Sequence, residues 1–356
     1  MIPTPEKPLL PLPVPQRPQG AVFWAMLAGS AGGAVFAWAG MPLPWMLGAL
    51  IATLALAVGG ARIAMPEALR DPTVAVIGVL LGSSFTPDLL ARLGDWGLSL
   101  AGMVVYLAIS AALSIPVFRH LAGHDRLTAY FAAMPGGLTE MAAIGGAMGA
   151  DERKIILAHL ARIVVTIAAV AFWFRVIAGH TVVGQPANLW GAGIGPLDAA
   201  LLIGAAILGT WAGYRLRLPA PTLFGPMILS GVLHATGITA SAPPGALVIV
   251  AQVILGTVMG CRFRGVAPGA LIRALGISLI VTVITLSLAL AFAAGLHTSF
   301  GETTEQVLLA YAPGGLSEMS LIALAMQAEV AFVAVHHVAR IVIVIALAPL
   351  VARAWR

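Results

Sequence analysis

Two glutamates and two arginines lie in otherwise strongly apolar stretches of the sequence. Glu140 precedes Arg162 at the same spacing at which Glu318 precedes Arg340. A charged side chain at the centre of a membrane costs about 2.5–3.5 kcal/mol on insertion scales, so charges that are kept there are functional candidates. A carboxylate can hold a proton or a cation, whereas a guanidinium can bind an anion or orient a neighbouring carboxylate.

Each glutamate is expected to lie at the same depth as the arginine that follows it. If the chain reverses near Ala150, Glu140 lies about 15 Å and Arg162 about 18 Å from the reversal. The same count applies to the second pair around Ala328. Pairing lowers the cost of burying two charges that neither could bear alone. Two structural alternatives stay open, because the glutamates could cap their helices and the pairs could clamp two helices together.

A histidine, His159 or His337, stands three positions before each arginine and therefore shares its helix face. A histidine can change its charge near neutral pH. For both residues a satisfied core role is nevertheless the favoured interpretation. His336 has no counterpart, because Ala158 occupies the equivalent position of the other half.

The triplet Pro-Gly-Gly interrupts an apolar stretch twice, at 135–137 and at 313–315. Proline lacks an amide proton and glycine lacks a side chain, so each triplet should break a helix. The helix that begins after each break, with Thr139 or Ser317 in its first turn, directs free amides and a positive dipole end towards the midplane. Irregular backbone is tolerated at this depth only inside protein or beside water. Two such tips predict a polar site that attracts an anion.

The expected solute- or ion-binding residues form two equivalent sets. They are Pro135, Gly136, Gly137, Thr139, Glu140, His159, Arg162, Pro313, Gly314, Gly315, Ser317, Glu318, His337 and Arg340. No catalytic residue, metal site or cofactor is expected, and the chain is not expected to be an enzyme.

The composition places these residues in a membrane protein. Of the 356 residues, 60% are hydrophobic and 9% are charged, and the mean hydropathy is +0.99. An average soluble domain is roughly 45–50% apolar and roughly 25% charged. Repeated apolar runs of about 20 residues can each span a hydrocarbon core of about 30 Å, which predicts an all-α polytopic membrane protein. An ordinary soluble enzyme, a disordered chain and a disulfide scaffold are excluded.

The sequence contains one unit twice, and the second copy follows the first by half the length of the chain. Residues 135–164 and 313–342 are identical at 15 of 30 aligned positions. Chance does not produce this match, and duplicated halves are typical of secondary transporters. The chain is therefore divided into a proline-rich cytoplasmic tail (1–20), membrane repeat A (21–180), a linker (181–196) and membrane repeat B (197–356).

The number of crossings in each half decides whether the repeats are parallel or inverted. Each half has about five transmembrane spans plus the Pro-Gly-Gly segment, which is either a re-entrant hairpin or one discontinuous helix. A hairpin puts most loop arginines and lysines on the side of the N-terminal tail, so the positive-inside rule favours it. The prediction is ten crossings and two inverted repeats, with both termini on the cytoplasmic side of the inner (plasma) membrane.

The paired blocks, PGGL-[TS]-EM followed by H-x-x-R, resemble those of the duplicated AbrB-type membrane protein family. The resemblance covers nearly the whole chain. Members carry conflicting labels, which include AbrB family regulator and ammonia monooxygenase, and the family label implies a membrane location and a role in regulation of gene expression. The architecture is also similar to that of cation/proton antiporters and anion transporters, a likeness of architecture alone.

The sequence favours a secondary transporter that moves a small polar or anionic solute by alternating access, with its site between the two breaks. The main alternative is a membrane protein that acts indirectly in regulation of gene expression. A membrane monooxygenase is disfavoured because the eight histidines are scattered, and a purely structural scaffold is disfavoured by the paired charges. The expected partners are a small-molecule or ion substrate and the lipid bilayer, with no nucleic acid. The lipid-facing surfaces could form a homo-oligomer.

Overall fold

The computed structural model describes residues 20–87, 93–179, 189–191, 193–300 and 303–354. Most of the expected tail (1–20) and of the expected linker (181–196) lies outside these residues. Within them the chain is helical and has no strand, as the composition predicted.

Each half contributes seven α-helices to the described part of the chain. In the first half they are α1 (Ala21–Trp38), α2 (Pro44–Val58), α3 (Arg70–Gly82), α4 (Gly97–Pro116), α5 (Arg126–Ala133), α6 (Leu138–Ala147) and α7 (Glu152–Phe172). In the second half they are α8 (Pro196–Arg215), α9 (Pro221–Ala235), α10 (Gly245–Cys261), α11 (Pro268–Phe300), α12 (Thr304–Tyr311), α13 (Leu316–Ala325) and α14 (Val330–Ala354). The short helices α5 and α6 recur as α12 and α13 at the equivalent positions of the repeated unit.

In the described residues, six helices are long and apolar enough to cross a membrane. These spans are Ala21–Trp38, Gly94–Leu121, Glu152–Ile177, Pro196–Arg215, Pro268–His297 and Val330–Arg353. They support a multi-pass helical membrane protein. The helices α2, α3, α9 and α10 have only 13 to 17 residues and are about 20–25 Å long. The total of ten crossings therefore stays a prediction.

The helices form two bundles, each built from both halves. In the first bundle (α1–α3 with α8–α10), α2 packs on α10 and α3 packs on α9. In the second bundle (α4–α7 with α11–α14), α4 contacts α14 while α11 packs along α7. In the repeat, α2 is equivalent to α9 and α3 to α10, so the contacts α2–α10 and α3–α9 are equivalent to each other. The contacts α4–α14 and α7–α11 are related in the same way. This exchange is what a two-fold relation between the halves would give, while their orientation in a bilayer stays a prediction.

Glycines allow the helices of the first bundle to approach closely. A Cβ on Gly78 would lie 2.5 Å from the carbonyl oxygen of Leu223, and Gly256 faces the carbonyl of Met46 in the same way. Small residues at crossing points are typical of membrane helices, where packing and not the hydrophobic effect holds helices together.

The two arms around each Pro-Gly-Gly triplet fold back on each other. The amide of Asp151, just before α7, donates to the hydroxyl of Thr128 at the start of α5 at 2.9 Å. At the equivalent positions of the second half, the side-chain amide of Gln306 donates to the carboxylate of Glu329 at 3.3 Å. In a continuous crossing these ends would lie about 30 Å apart. Each interrupted segment is therefore a helical hairpin, not a discontinuous span.

Replacing Gly209 by alanine should destabilise the first bundle. A Cβ at this position of α8 would lie 2.6 Å from the backbone nitrogen of Pro226 on α9, so the two helices would have to separate. We expect the free energy of unfolding to fall by about 1–3 kcal/mol, measured as a lower melting temperature. Gly204→Ala on the same helix is the control, because nothing lies within 4 Å of its Cβ position. Equal melting temperatures of the two variants would contradict this contact.

Candidate functional site

A cavity of about 440 Å³ lies where the tips of the two hairpins meet. Every expected site residue except His337 lines it. These residues are Pro135, Gly136, Gly137, Thr139, Glu140, His159, Arg162, Pro313, Gly314, Gly315, Ser317, Glu318 and Arg340. The fold thus brings both sets of residues to one place.

The helices α6 and α13 begin at the cavity with amide groups that have no partner in the helix. The first backbone hydrogen bond of α6 runs from the Met141 amide to the Gly137 carbonyl, and that of α13 runs from Met319 to Gly315. The amides of the preceding residues are therefore free of the helix ladder, and the positive dipole ends of both helices lie here. The middle glycine leaves room for the methionine, because a Cβ on Gly136 would lie 3.0 Å from Sδ of Met141.

Each glutamate folds back over the last glycine of its own triplet. The Glu140 carboxylate occupies the space that a Cβ on Gly137 would need, and the Glu318 carboxylate does the same at Gly315. Both carboxylates therefore lie against the positive end of their own helix, where a negative charge is stabilising. This geometry supports the capping alternative, and it explains why a residue without a side chain precedes each helix.

The two glutamates differ in access. Glu140 and its neighbour Thr139 are exposed, whereas Glu318 is only 4% and Ser317 only 7% exposed. The Ser317 hydroxyl donates to Oε1 of Glu318 at 3.0 Å. Glu140 is consequently the carboxylate that an ion or solute in the cavity can reach.

Arg162 binds the end of a helix and not Glu140. Its guanidinium donates to the carbonyl oxygens of Ala132, Ala133 and Met134, each at 3.2 Å. These carbonyls end α5 and have no amide partner within the helix. The predicted ion pair between Glu140 and Arg162 is therefore wrong, because the unpaired carbonyls at the hairpin tip take up the guanidinium.

Arg340 binds the second hairpin in the same manner. It donates to the Ala312 carbonyl and, at 2.9 Å, to the Gly314 carbonyl. It also contacts Nδ1 of His337 at 3.0 Å, while the other ring nitrogen donates to a backbone carbonyl of α12 at 2.9 Å. The predicted ion pair with Glu318 is wrong for the same reason. His337 is a buried histidine with both ring nitrogens satisfied, and it supports the arginine from outside the cavity.

Three buried polar atoms at the cavity have no hydrogen-bond partner within the described residues. They are Nε2 of His159, Nε of Arg162 and Nε of Arg340. His159 is 1% exposed and donates through Nδ1 to the Ile155 carbonyl at 3.0 Å, which leaves Nε2 as an acceptor. Buried polar atoms are almost always bonded, but these three atoms are covered by protein, so a ligand in the cavity would contact them only after a local rearrangement.

His336, which lacks a counterpart, lies outside this cavity. It is fully buried, with Nε2 2.6 Å from the Ser99 hydroxyl and Nδ1 2.8 Å from the Phe332 carbonyl. The contact with Ser99 joins α14 to α4. His336 is therefore a packing contact within the second bundle.

The wall of the cavity also includes Arg70, Asp71, Tyr214 and Arg262. Asp71 and Tyr214 are exposed, so the cavity opens on this side. Sequence reasoning missed these residues because they lie at helix ends without a motif of their own. Arg262 donates to the Glu67 carboxylate through Nε and Nη2, both at 2.9 Å. This hydrogen bond, aided by the positive charge of Arg262, lowers the pKa of Glu67. The pair joins the two halves beside the opening.

The two halves contribute unequally to the wall of the cavity. The cavity wall includes four apolar residues of the second half, which are Ala220, Leu223, Leu255 and Met259. Their counterparts in the first half do not line the cavity, and these are Leu43, Met46, Ile77 and Leu81. Leu223, Leu255 and Met259 are nevertheless buried in the same hydrophobic core as these counterparts. Two similar halves thus line the cavity asymmetrically.

The fold and the cavity together define a polytopic helical membrane protein with duplicated hairpins. The chain belongs to the AbrB family, because residues 45–356 match the family described as "Transition state regulatory protein AbrB". It is 25% identical over 350 residues to the protein YhjN of Bacillus subtilis strain 168, a match that covers 92% of this chain and 91% of that protein. It is also 25% identical over 319 residues to an Escherichia coli K12 protein named as a regulator, AbrB, covering 88% of this chain and 90% of that one.

Replacing Arg162 by lysine should destabilise the first hairpin. A lysine ammonium cannot reproduce the planar fork that holds three carbonyl oxygens, so at least one buried carbonyl loses its partner at a cost of about 1–3 kcal/mol. We expect a lower melting temperature of the purified protein. Arg215→Lys is the control, because Arg215 is exposed at the end of α8. If Arg162→Lys were as stable as this control, the arginine would not be holding the tip.

Proposed function

We propose that this protein is a secondary transporter of a small polar or anionic solute, with its site between the two Pro-Gly-Gly breaks. One observation carries the proposal: one cavity is lined by both Pro-Gly-Gly tips and by residues of both halves. A central site built from interrupted helices of two repeats is typical of secondary transporters.

The groups around the cavity suit a solute that accepts hydrogen bonds. The first-turn amides of α6 and α13 lie outside the helix ladders and are donors, and the guanidinium groups of Arg162 and Arg340 add positive charge to the cavity wall. A helix N-terminus also favours negative charge.

Glu140 is the group we assign to coupling. Its carboxylate lies against the N-terminus of α6, so its charge competes with an anionic solute for the same positive end. A proton or cation bound at Glu140 would remove this competition. Ion binding and solute binding would then favour each other, as coupled transport requires.

Alternating access would follow from movement of one bundle against the other. The second bundle carries both hairpins, and α13 packs on α3 of the first bundle. Access from the opposite side would require Leu43, Met46, Ile77 and Leu81 to become part of the cavity wall, as their counterparts of the second half already are. We assign the present opening to the cytoplasmic side of the inner membrane, because Arg70 and Arg262 lie there.

The charge of the solute can be determined from Glu140→Gln. Melting temperatures would be measured with sodium phosphate, sodium succinate, ammonium chloride and methylammonium chloride, since a ligand at about 100 times its Kd stabilises by about 2.7 kcal/mol. Removing the carboxylate should change the Kd by about tenfold or more, tightening an anion and weakening a cation. Glu152→Gln, an exposed glutamate outside the cavity, is the control. A probe that shifts the parent and both variants equally would contradict a site at Glu140.

Cysteine labelling tests access to the cavity from the cytoplasmic side. In a Cys261→Ser background, which removes the only cysteine, Thr139→Cys should react with a membrane-impermeant maleimide from the cytoplasmic side. Ser317→Cys should react more slowly from that side, because this position is 7% exposed. Equal labelling of the two positions from the cytoplasmic side would contradict the assigned opening.

The family description and the name of the Escherichia coli relative favour a second candidate, a role in regulation of gene expression. We propose that any such role is indirect and follows from movement of the solute or from a signal across the membrane. A deletion strain complemented with Glu140→Gln separates these cases. Transcript levels restored by a variant that no longer transports would favour signalling. A monooxygenase activity has no comparable support.

A further inference from the structure

An apolar groove runs along the membrane-facing side of the second bundle, between α4, α5 and α14. Its volume is about 560 Å³, and its walls include Val104, Ala108 and Ala112 on α4 and Val344 and Leu347 on α14. Val104 and Leu347 are 44% and 47% exposed, so the groove opens towards the position of the lipid. It is separate from the central cavity.

The groove is not required by the fold, because the equivalent place in the other half is closed. There α11 packs along α7, and the hydroxyls of Thr282 and Thr166 lie 3.3 Å apart. When the two halves are aligned on their Pro-Gly-Gly triplets, Thr282 corresponds to Val104 and Thr166 to Val344. Both threonines are fully buried. The substitution of valine for threonine at both positions removes the polar contact and leaves two branched apolar side chains in an open groove.

The inner wall of the groove touches the first hairpin. Cγ1 of Val344 lies 2.9 Å from the position of a Cβ on Gly136, the middle residue of the triplet. Met134, which also lines the groove, accepts the hydrogen bond from Arg162 through its carbonyl. A molecule in the groove would therefore pack directly behind the tip that lines the central cavity.

The end of the groove near the last turn of α4 is cationic. Arg119 and His120 line it and are exposed, and Arg119 makes no hydrogen bond or ion pair within the described residues. The rise along a helix from Val104 to Arg119 is about 22 Å. Half the thickness of a bilayer with its headgroups is about the same length. The groove thus has the dimensions of one leaflet, with an apolar deep end and a positive charge at headgroup depth.

We propose that this groove binds one anionic phospholipid, with an acyl chain along Val104 and Val344 and the phosphate on Arg119. A guanidinium binds a phosphate through paired charge-assisted hydrogen bonds, and the alanines of α4 leave space for a chain. Because the chain packs against Val344, the lipid supports the Pro-Gly-Gly tip of the first hairpin. Binding of the lipid does not depend on whether the central cavity carries a solute.

The test is lipid binding to the full chain, purified in a neutral detergent and measured by native mass spectrometry. The probes are dioleoyl phosphatidylglycerol, dioleoyl phosphatidylcholine and glycerol 3-phosphate, which is the anionic group without acyl chains. We expect one phosphatidylglycerol to bind more tightly than phosphatidylcholine. Arg119→Gln and Ala112→Phe should each raise its Kd about tenfold or more.

Two controls match these variants. Arg215→Gln removes an exposed arginine elsewhere, and Ala200→Phe adds the same ring at an exposed position of α8; both should bind phosphatidylglycerol as the parent does. Equal affinity for the two phospholipids, or unchanged affinity in Arg119→Gln, would overturn headgroup recognition. Binding of glycerol 3-phosphate as tight as that of the phospholipid would mean an anion site without a chain. A dimer that Ala112→Phe dissociates would mean that a second copy covers the groove.

Discussion

The hairpin tips depend on how their unpaired backbone carbonyls are satisfied. A helix that stops in the middle of a bundle ends in carbonyl groups without amide partners, and no bulk water is available at that depth. Arg162 and Arg340 supply the missing donors from the neighbouring long helices α7 and α14. The positive charge of each arginine also offsets the negative end of α5 or α12. Without these contacts an interrupted helix could not be kept in place.

The glutamates satisfy the opposite requirement on the other arm of each hairpin. Their carboxylates lie over Gly137 and Gly315, against the positive ends of α6 and α13. Each hairpin tip is therefore contacted by one positive and one negative side chain. The arginine offsets the negative C-terminal end of one arm, and the glutamate offsets the positive N-terminal end of the other. A structural role and a functional role are not exclusive here, because a carboxylate that offsets a helix dipole is also one that a bound ion or solute must displace or neutralise.

The local features of this fold could be predicted from the sequence, whereas contacts between the halves could not. Pro-Gly-Gly breaks a helix because of backbone chemistry alone, and the internal repetition places both breaks at equivalent positions. Counting residues from the chain reversal correctly predicted that Glu140 and Arg162 line one cavity. It did not predict that Arg162 binds backbone carbonyls and not Glu140, because the depth of a side chain does not identify its hydrogen-bond partner. Tyr214 at the opening was missed because its position depends on how α8 crosses the other half.

The paired exchange of threonine for valine also bears on how the two halves depend on each other. Thr166 of the first half meets Thr282 of the second, and Val104 of the first half lies in the same groove as Val344 of the second. Two copies of either half, assembled around a two-fold axis, would set a threonine opposite a valine at both places. Only the chain that contains both halves places threonine opposite threonine and valine beside valine. The repeats have therefore diverged as complementary partners, and neither can now stand in for the other.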